Sequence, residues 1–398
     1  MKVLLLTDIP PCKNYTAGIV LNELLGFLEN DEYVLCSVVN PALLPEIPEK
    51  YSKIPHLQLR KPNERGFRVL PGILGLPFSF FVELIQGFRV RFFYTKKILS
   101  FIRKQNVTHV WIVLQGQTMV RLADSLIRNG GVPVLTQVWD AFDWWLKNNH
   151  LDRITKNRLK KVFDRAVRNC QICATASWGM SNEYTKLYEV PNIPLIAGLS
   201  KNLIPKIDLV KDNKKNSFII GMAGQFYAQD AWNSFIQALD SVGWEILGKK
   251  IIIRVLGATF QFSATRPTNF EYLGWRSQEE TIQILSNCDL LYLPYWFDQD
   301  FRRESETSFP SKLVTYFASA CPVICHAPDY SSPAMYMKDN NAGYLCESVH
   351  IPNIIENLEI IIRDGKKSEV VARQLECFMR DFELKKMRKS FYQFLGKS

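Results

Sequence analysis

Two series of short apolar runs, each alternating with segments of helical period, constrain the fold of this chain more than any other feature. Residues 2–7, 33–39, 110–114, 132–139 and 171–175 make the first series. Residues 217–223, 250–256, 269–273, 290–294 and 322–325 make the second, with helices such as 231–239 and 279–286 between them. Short apolar strands separated by helix-length segments imply parallel sheets covered on both faces. Between the series, residues 190–217 hold Pro191, Pro194 and Pro205, then Lys211, Lys214 and Lys215, and lose the periodicity; they read as a linker. At 398 residues the chain is too long for one typical core and suits two domains of roughly 150 to 200 residues. The expected fold is α/β, with two doubly wound Rossmann-like domains, residues 1–200 and 201–370, facing a cleft. Residues 371–398, the end of a basic helix over 369–394, are expected to pack back across that cleft.

Several function classes are disfavoured. The first strand leads into Asp8 and the pair Pro10-Pro11 without a GxGxxG turn, and Gly221 and Gly224 are followed by no Gly-Lys-Ser/Thr, so neither dinucleotide nor P-loop chemistry is indicated. The opening apolar run is too brief for a secretory leader. Nine cysteines without framework spacing read as reduced thiols of a cytoplasmic protein, and Cys170 and Cys173, the one CxxC, as buried structural thiols in a strand. Five scattered histidines form no ligand cluster, and Asp298-Gln-Asp300 reads as a solvated loop, so no metal is expected.

The net charge of +10 calls for an acidic partner. Arg65, Arg68, Arg89, Arg91, Lys96, Lys97, Arg103 and Lys104 flank or interleave a segment, residues 65–104, in which positions 81, 84, 85, 88, 92, 99 and 102 are apolar at helical spacing. Its longest uncharged run, residues 69–82, is broken by Pro71 and Pro77 and falls short of the ~20 apolar residues that a spanning helix needs. Two readings fit equally: an amphipathic helix lying on an anionic membrane surface, or a core-packed helix with a solvated basic face. No nucleic-acid-binding motif accompanies the charge.

The stretch Glu306-Thr-Ser-Phe-Pro-Ser-Lys-Leu-Val-Thr-Tyr-Phe-Ala-Ser-Ala-Cys-Pro-Val-Ile324 resembles the donor-site signature of the family 4 (group 1) retaining glycosyltransferases of GT-B fold, with Pro310, Ser311, Lys312, Leu313, Tyr316, Ala318, Pro322 and Val323 matching. Residues 218–226 are similar to the strand and glycine turn that open the donor domain, and residues 288–294 to the strand before the signature. The resemblance implies transfer of a sugar from a nucleotide diphosphate donor to a hydroxyl, with retention at the anomeric carbon and no cofactor or metal. It places Gly224, Gln225, Thr307, Ser308, Phe309, Ser311 and Thr315 at the donor and Gly18 on the acceptor side. Lys312 would then neutralise the departing phosphate. Asp140 stands where many members carry a His or Asp, and is expected to orient the acceptor or stabilise positive charge on the sugar, with Asp143 second.

Two departures stand out. The signature's acidic positions fall on Thr307 and Thr315, and the Arg and Lys of the diphosphate clamp, expected just after Gly224, are replaced by Gln225 and Ala228-Gln229-Asp230. Lys312, the loop amides of residues 308–311, Gln225, Arg302 and Arg303 are the remaining candidates to hold the diphosphate. The residues admit other roles: Asp140 could cap the helix beginning at Ala141, and Trp139, Trp144 and Trp145 could be core. The expected partners are a nucleotide-sugar donor and a glycan or lipid-linked acceptor, in bacterial surface polysaccharide or glycolipid assembly at the inner face of the membrane. The alternatives are a catalytically silent GT-B protein that partners an active enzyme, and a nucleotide-sugar epimerase or phosphorylase.

Overall fold

The computed structural model describes residues 1–64, 75–149, 151–206, 216–225, 227–257 and 267–397. Arg65, Arg68, the start of the basic segment and of its uncharged run, Phe226, and Lys211, Lys214 and Lys215 lie outside the described residues. The chain forms two compact units, one of Met1–Ile196 with Arg388–Ser398 and one of Ala197–Met387.

The first unit is built on a seven-stranded parallel sheet: β1 (Val3–Thr7), β2 (Tyr33–Val39), β3 (His56–Arg60), β4 (His109–Val113), β5 (Val134–Val138), β6 (Ile172–Thr175) and β7 (Asn192–Pro194), in the order β3-β2-β1-β4-β5-β6-β7. The strand sequence VLLLT of β1 is buried throughout because neighbouring strands and helices on both faces exclude water from it. Helices α1 (Thr16–Leu25), α2 (Gly75–Arg89), α3 (Thr95–Lys104), α4 (Gly116–Asn129), α5 (Phe142–Asn148), α6 (Arg153–Arg168) and α7 (Trp178–Tyr188) connect the strands. The order reverses between β1 and β4, and β1 pairs through Leu6 and its neighbours with β2 on one side and β4 on the other.

The second unit repeats the plan with β8 (Ser217–Ala223), β9 (Glu245–Ile246), β10 (Lys249–Leu256), β11 (Phe270–Gly274), β12 (Leu290–Pro294), β13 (Val323–His326) and β14 (Tyr344–Cys346). The order is β11-β10-β8-β12-β13-β14, with β9 antiparallel on β10 and the reversal between β8 and β12. Its helices are α8 (Gln229–Ser241), α9 (Gln278–Ser286), α10 (Arg302–Thr307), α11 (Ser311–Ala318), α12 (Ser332–Asn340), α13 (Ile351–Arg363) and α14 (Lys367–Cys377), and α15 (Leu384–Leu395) starts in it and passes at Arg388 into the first unit. Local chemistry sets several starts: Ser277 and Glu280 form a capping box on α9, and Ser331 caps α12.

Three expectations change. The stretch read as a linker contains β7, which pairs with β6 through Cys173↔Asn192; its backbone is satisfied by the sheet despite the prolines. The single late helix is in fact α14, a π-helical turn Phe378–Phe382 and α15, divided at Glu383, whose extended backbone (φ −67°, ψ 141°) ends the first piece. The last residues of α15 pack within the first unit: the Tyr392 hydroxyl donates to the Phe27 carbonyl at 2.8 Å, and the Phe391 ring lies 5.0 Å from that of Trp111. The third concerns the basic segment. α2, a π-helical turn Val90–Tyr94 and α3 run on without a break in helical backbone, and Glu83, Val90, Ile98 and Ile102 face inward while Phe81, Ile85, Phe88 and Phe92 face solvent. The core-packed reading holds for α3, whereas on α2 the apolar stripe is the outer one.

Cys170 and Cys173 are buried free thiols whose pKa values burial pushes up, that of Cys170 to about 11, which leaves them protonated and inert.

Candidate functional site

In a doubly wound sheet a ligand meets the carboxyl ends of the strands where the strand order reverses. In the second unit that place is the end of β8. Gly224 follows β8 with φ +88°, and Gly257 follows β10 with φ +120°. The register Ala223↔Leu256 sets the two glycines side by side, and the Gly224 amide donates to the Leu256 carbonyl at 3.0 Å. A Cβ on Gly257 would stand 2.8 Å from the Gly224 oxygen, so the two turns approach as closely as they do because neither carries a side chain.

Helix α11 points its first turn at these turns. Pro310 precedes it with no side-chain cap, leaving the first amides without a partner from a capping residue. Lys312 lies in that first turn. Its stem runs against Gly224, where a Cβ would meet Lys312 Cε at 3.1 Å, its ammonium donates to the Gln225 carbonyl, and it sits 4.2 Å from the centroid of the Tyr227 ring. No carboxylate pairs with it among the described residues. Desolvation lowers its pKa to about 7, so the amine is held near the protonation midpoint until an anion arrives. Helix amides, the helix dipole and an ammonium converging on one point suit a phosphate.

The other residues expected at the donor divide. Gln225 is engaged through its carbonyl, and its side chain is exposed. Ser311 is exposed at the α11 start. The Ser308 hydroxyl lies 2.5 Å from that of Tyr295 and donates to the Glu304 carbonyl at 2.6 Å. The buried Thr307 hydroxyl donates to the Arg303 carbonyl at 2.7 Å, and the Thr315 hydroxyl accepts from Gln278 at 3.1 Å. Phe309 stacks on Phe382 at 5.7 Å and meets Tyr336 edge-on, so its ring belongs to an aromatic cluster. Arg302 is neutralised by Glu306 at 2.8 Å and lies over the Tyr330 ring. Asp230, which stands in the lost clamp, accepts from the amides of Phe297 and Asp298 at 2.7 Å and so fixes the loop after β12. Asp298 in turn accepts from the Asp300 amide, a local turn. Among the described residues no group of three His, Cys, Asp or Glu could hold a metal ion.

At the switch point of the first unit the equivalent anion place is already filled. Glu64 accepts from the Thr118 amide in the first turn of α4 at 2.7 Å, and Lys61 bridges Glu64 (3.1 Å) and Asp8 (2.9 Å). Desolvation opposes the Lys61 charge, but the two carboxylates outweigh it and hold its pKa above the ordinary value. Gly116, at φ +75°, leaves room for the Glu64 carboxylate, which a Cβ would meet at 2.2 Å. Gly18 lies in the first turn of α1 and serves packing: a Cβ there would strike Cys12 Sγ, and its carbonyl accepts from the Cys12 amide at 3.2 Å.

Asp140 follows β5 at the same edge. It does not cap α5: the N-cap position is Ala141, and no side chain caps that helix. The residue is exposed, and partial desolvation of its carboxyl raises the pKa above the ordinary value. Asp143 pairs with Lys160 at 3.1 Å. Trp145 stacks on Phe142, which stacks on the buried Phe163, so this tryptophan belongs to the core.

Sequence reasoning missed Gly257, the Tyr227 platform and the Asp8–Lys61–Glu64 triad. A glycine directly after a strand was the available signal for the first, and an acid directly after β1 for the last.

Two Rossmann-like units in one chain, the second with an uncapped helix start and a lysine at its switch point, define the GT-B class of fold. Over its whole length the chain is similar to the sucrose-phosphate synthase of Thermosynechococcus elongatus (TM-score 0.68, 11% identity, 100% of this chain and 98% of that one). It is similar as well to a UDP-forming alpha,alpha-trehalose-phosphate synthase from Burkholderia vietnamiensis (TM-score 0.64, 11% identity, 100% of both chains) and to a glycosyltransferase from Rickettsia africae (TM-score 0.62, 11% identity, 100% and 99%). At these identities the likeness is one of fold. No family model matches the sequence, and no curated protein matches it.

Proposed function

We propose that the chain is a retaining glycosyltransferase of the family 4 type, moving a sugar from a nucleotide diphosphate to a hydroxyl of a glycan or lipid-linked acceptor. The observation that carries this reading is Lys312 in the uncapped first turn of α11, set against Gly224 and without a carboxylate partner among the described residues. When the bond from the anomeric carbon to the phosphate breaks, negative charge grows on the diphosphate, and preorganised amides with an ammonium stabilise it most in the transition state. The acceptor oxygen bonds to the anomeric carbon, and its proton passes to the departing phosphate. Asp140, exposed at the β5 edge, orients the acceptor or offsets charge on the sugar. Metal takes no part in this reading. Surface polysaccharide or glycolipid assembly at the inner face of a membrane is the setting we propose; no helix among the described residues is long and apolar enough to cross a bilayer.

A silent GT-B partner protein is the second reading, favoured by the commitment of Arg302 to Glu306 and by Gln225 in the clamp position. Thermal stability against a panel of nucleoside diphosphates separates the two, with uridine diphosphate first because one similar protein is UDP-forming. A ligand at 100 times its Kd adds about 2.7 kcal/mol. A shift with one nucleotide that disappears in Lys312→Ala, together with acceptor-dependent nucleotide release that Asp140→Asn abolishes, is the expected result. No shift with any nucleotide would move the silent reading to first place.

A further inference from the structure

The outer face of α2 is built the wrong way round for a helix in water. Its inward side carries the buried Glu83, paired with Arg121 at 3.4 Å, and Gly87, which makes room for the Arg121 guanidinium. Its outward side, continued into the π-helical turn, carries Phe81, Ile85, Phe88 and Phe92, exposed by 61%, 68%, 57% and 58%. Their spacing of four, three and four residues aligns them in one stripe along the helix, and the Phe88 and Phe92 rings meet at 4.3 Å. A contiguous exposed row of this size marks an interaction surface.

What lies beside the stripe selects the partner. Phe88 and Phe92 also wall a cavity of about 210 Å³ whose other side holds Arg91, Arg121 and Arg158. Arg121 is taken by Glu83, but among the described residues Arg91 Nε is buried with no hydrogen-bond partner, and Arg158, itself exposed, lies 5.9 Å from the centroid of the Phe80 ring. The nearby carboxylate of Asp124 is already held by Arg128 and Arg165, each at 2.6 Å. A protein partner would be asked for an apolar strip with an anion in a fixed place; a bilayer with anionic headgroups offers that combination along its whole surface.

We propose that this face docks on an anionic phospholipid bilayer, with the Phe81–Ile85–Phe88–Phe92 stripe at the acyl boundary and a lipid phosphate in the cavity against Arg91 and Arg158. The inference deepens the membrane setting of the proposed function and rests on it. Vesicle binding involves no sugar transfer, so failure here leaves the transferase reading standing, and a chain without donor binding can still dock.

The test is sedimentation of the full chain with vesicles of equimolar phosphatidylglycerol and phosphatidylcholine, and with phosphatidylcholine alone. Binding to the anionic vesicles is expected to be stronger by about tenfold or more. Phe88→Ser with Phe92→Ser is expected to lower it about tenfold or more, with an unchanged melting temperature since both rings are already exposed. Arg91→Gln with Arg158→Gln should lower it roughly 10- to 30-fold and flatten its salt dependence. Absence of binding to anionic vesicles, equal binding to both compositions, or undiminished binding by either double variant overturns the proposal. So does a dimer of the wild-type chain that the phenylalanine variant splits and that never sediments with vesicles, which would make the stripe a self-association face.

Discussion

The hydroxyl of Tyr316, on α11, accepts a hydrogen bond from the amide of Ala223, the last residue of β8, at 2.9 Å. The same hydroxyl donates to the carbonyl of Tyr292 in β12 at 3.3 Å. One buried side chain thus ties the two strands that flank the switch point to the helix whose first turn carries Lys312. The spacing between the Gly224 turn and the first turn of α11 is held by these two bonds.

Replacing Tyr316 by Phe keeps the ring and removes both bonds. The Ala223 amide is left buried and unpaired, a loss of about 1–3 kcal/mol. Urea unfolding should show it as a lower midpoint, and nucleoside diphosphate affinity should fall because α11 is no longer held to β8.

Lys312→Met tests the desolvation of the ammonium. In the folded chain its pKa is about 7, against about 10.5 when unfolded, so between those values the unfolded state holds more protons and wild-type stability rises with pH. The variant should melt higher than the wild type at neutral pH and lose that part of the rise, while losing its shift with nucleotide. In the wild type, nucleotide affinity should decline as pH climbs past about 7, since the cation that meets the phosphate is titrated away. Thermal melts over pH ~6 to 10, with and without nucleotide, check all of these; a lower melting temperature for the variant would refute the account.

Gly257→Ala should cost more than Gly131→Ala. Both have positive φ, but a Cβ at Gly131 meets nothing within 4 Å, whereas at Gly257 it meets the Gly224 oxygen at 2.8 Å. We expect ~1–2 kcal/mol for Gly131→Ala, from backbone conformation alone, and more for Gly257→Ala, read by denaturant unfolding.

Lys61→Met leaves the carboxylates of Asp8 and Glu64 without their shared cation. Breaking a buried pair in this way costs ~3–5 kcal/mol. The bridging amine, with its pKa raised, contributes fully below the unfolded lysine value and is lost only as pH rises through the folded one, so the wild type has it at neutral pH. Thermal melts of the wild type and the variant at neutral pH compare the two.

Much of the sheet framework was legible. The run 290–294 is β12 and 33–39 is β2, because a strand buried on both faces must be apolar at every position. The short edge strands β3, β7 and β14 were not, since β3 carries polar residues on its half-exposed face, Pro194 ends β7, and β14 is only three residues long. Of the candidate site, the place of Lys312 in a helical first turn was visible in Pro310-Ser311-Lys312. The commitments of Thr307 to the Arg303 carbonyl and of Phe309 to Phe382 were not, because a motif states which residue types occur and leaves open which neighbour they face.

By itself the sequence determined the alternation that demands two parallel sheets and the position of most strands, which follow from local apolar pattern and spacing; Gly224 and Lys312 stood out only through the resemblance of residues 306–324 and 218–226 to a known family. Only the tertiary structure decided that Gly257 backs Gly224, that Lys61 joins Asp8 to Glu64, and that the apolar stripe of α2 faces outward. Each of these depends on strand order or on what covers a helix, and periodicity along a chain records the composition of a face without recording what lies opposite it.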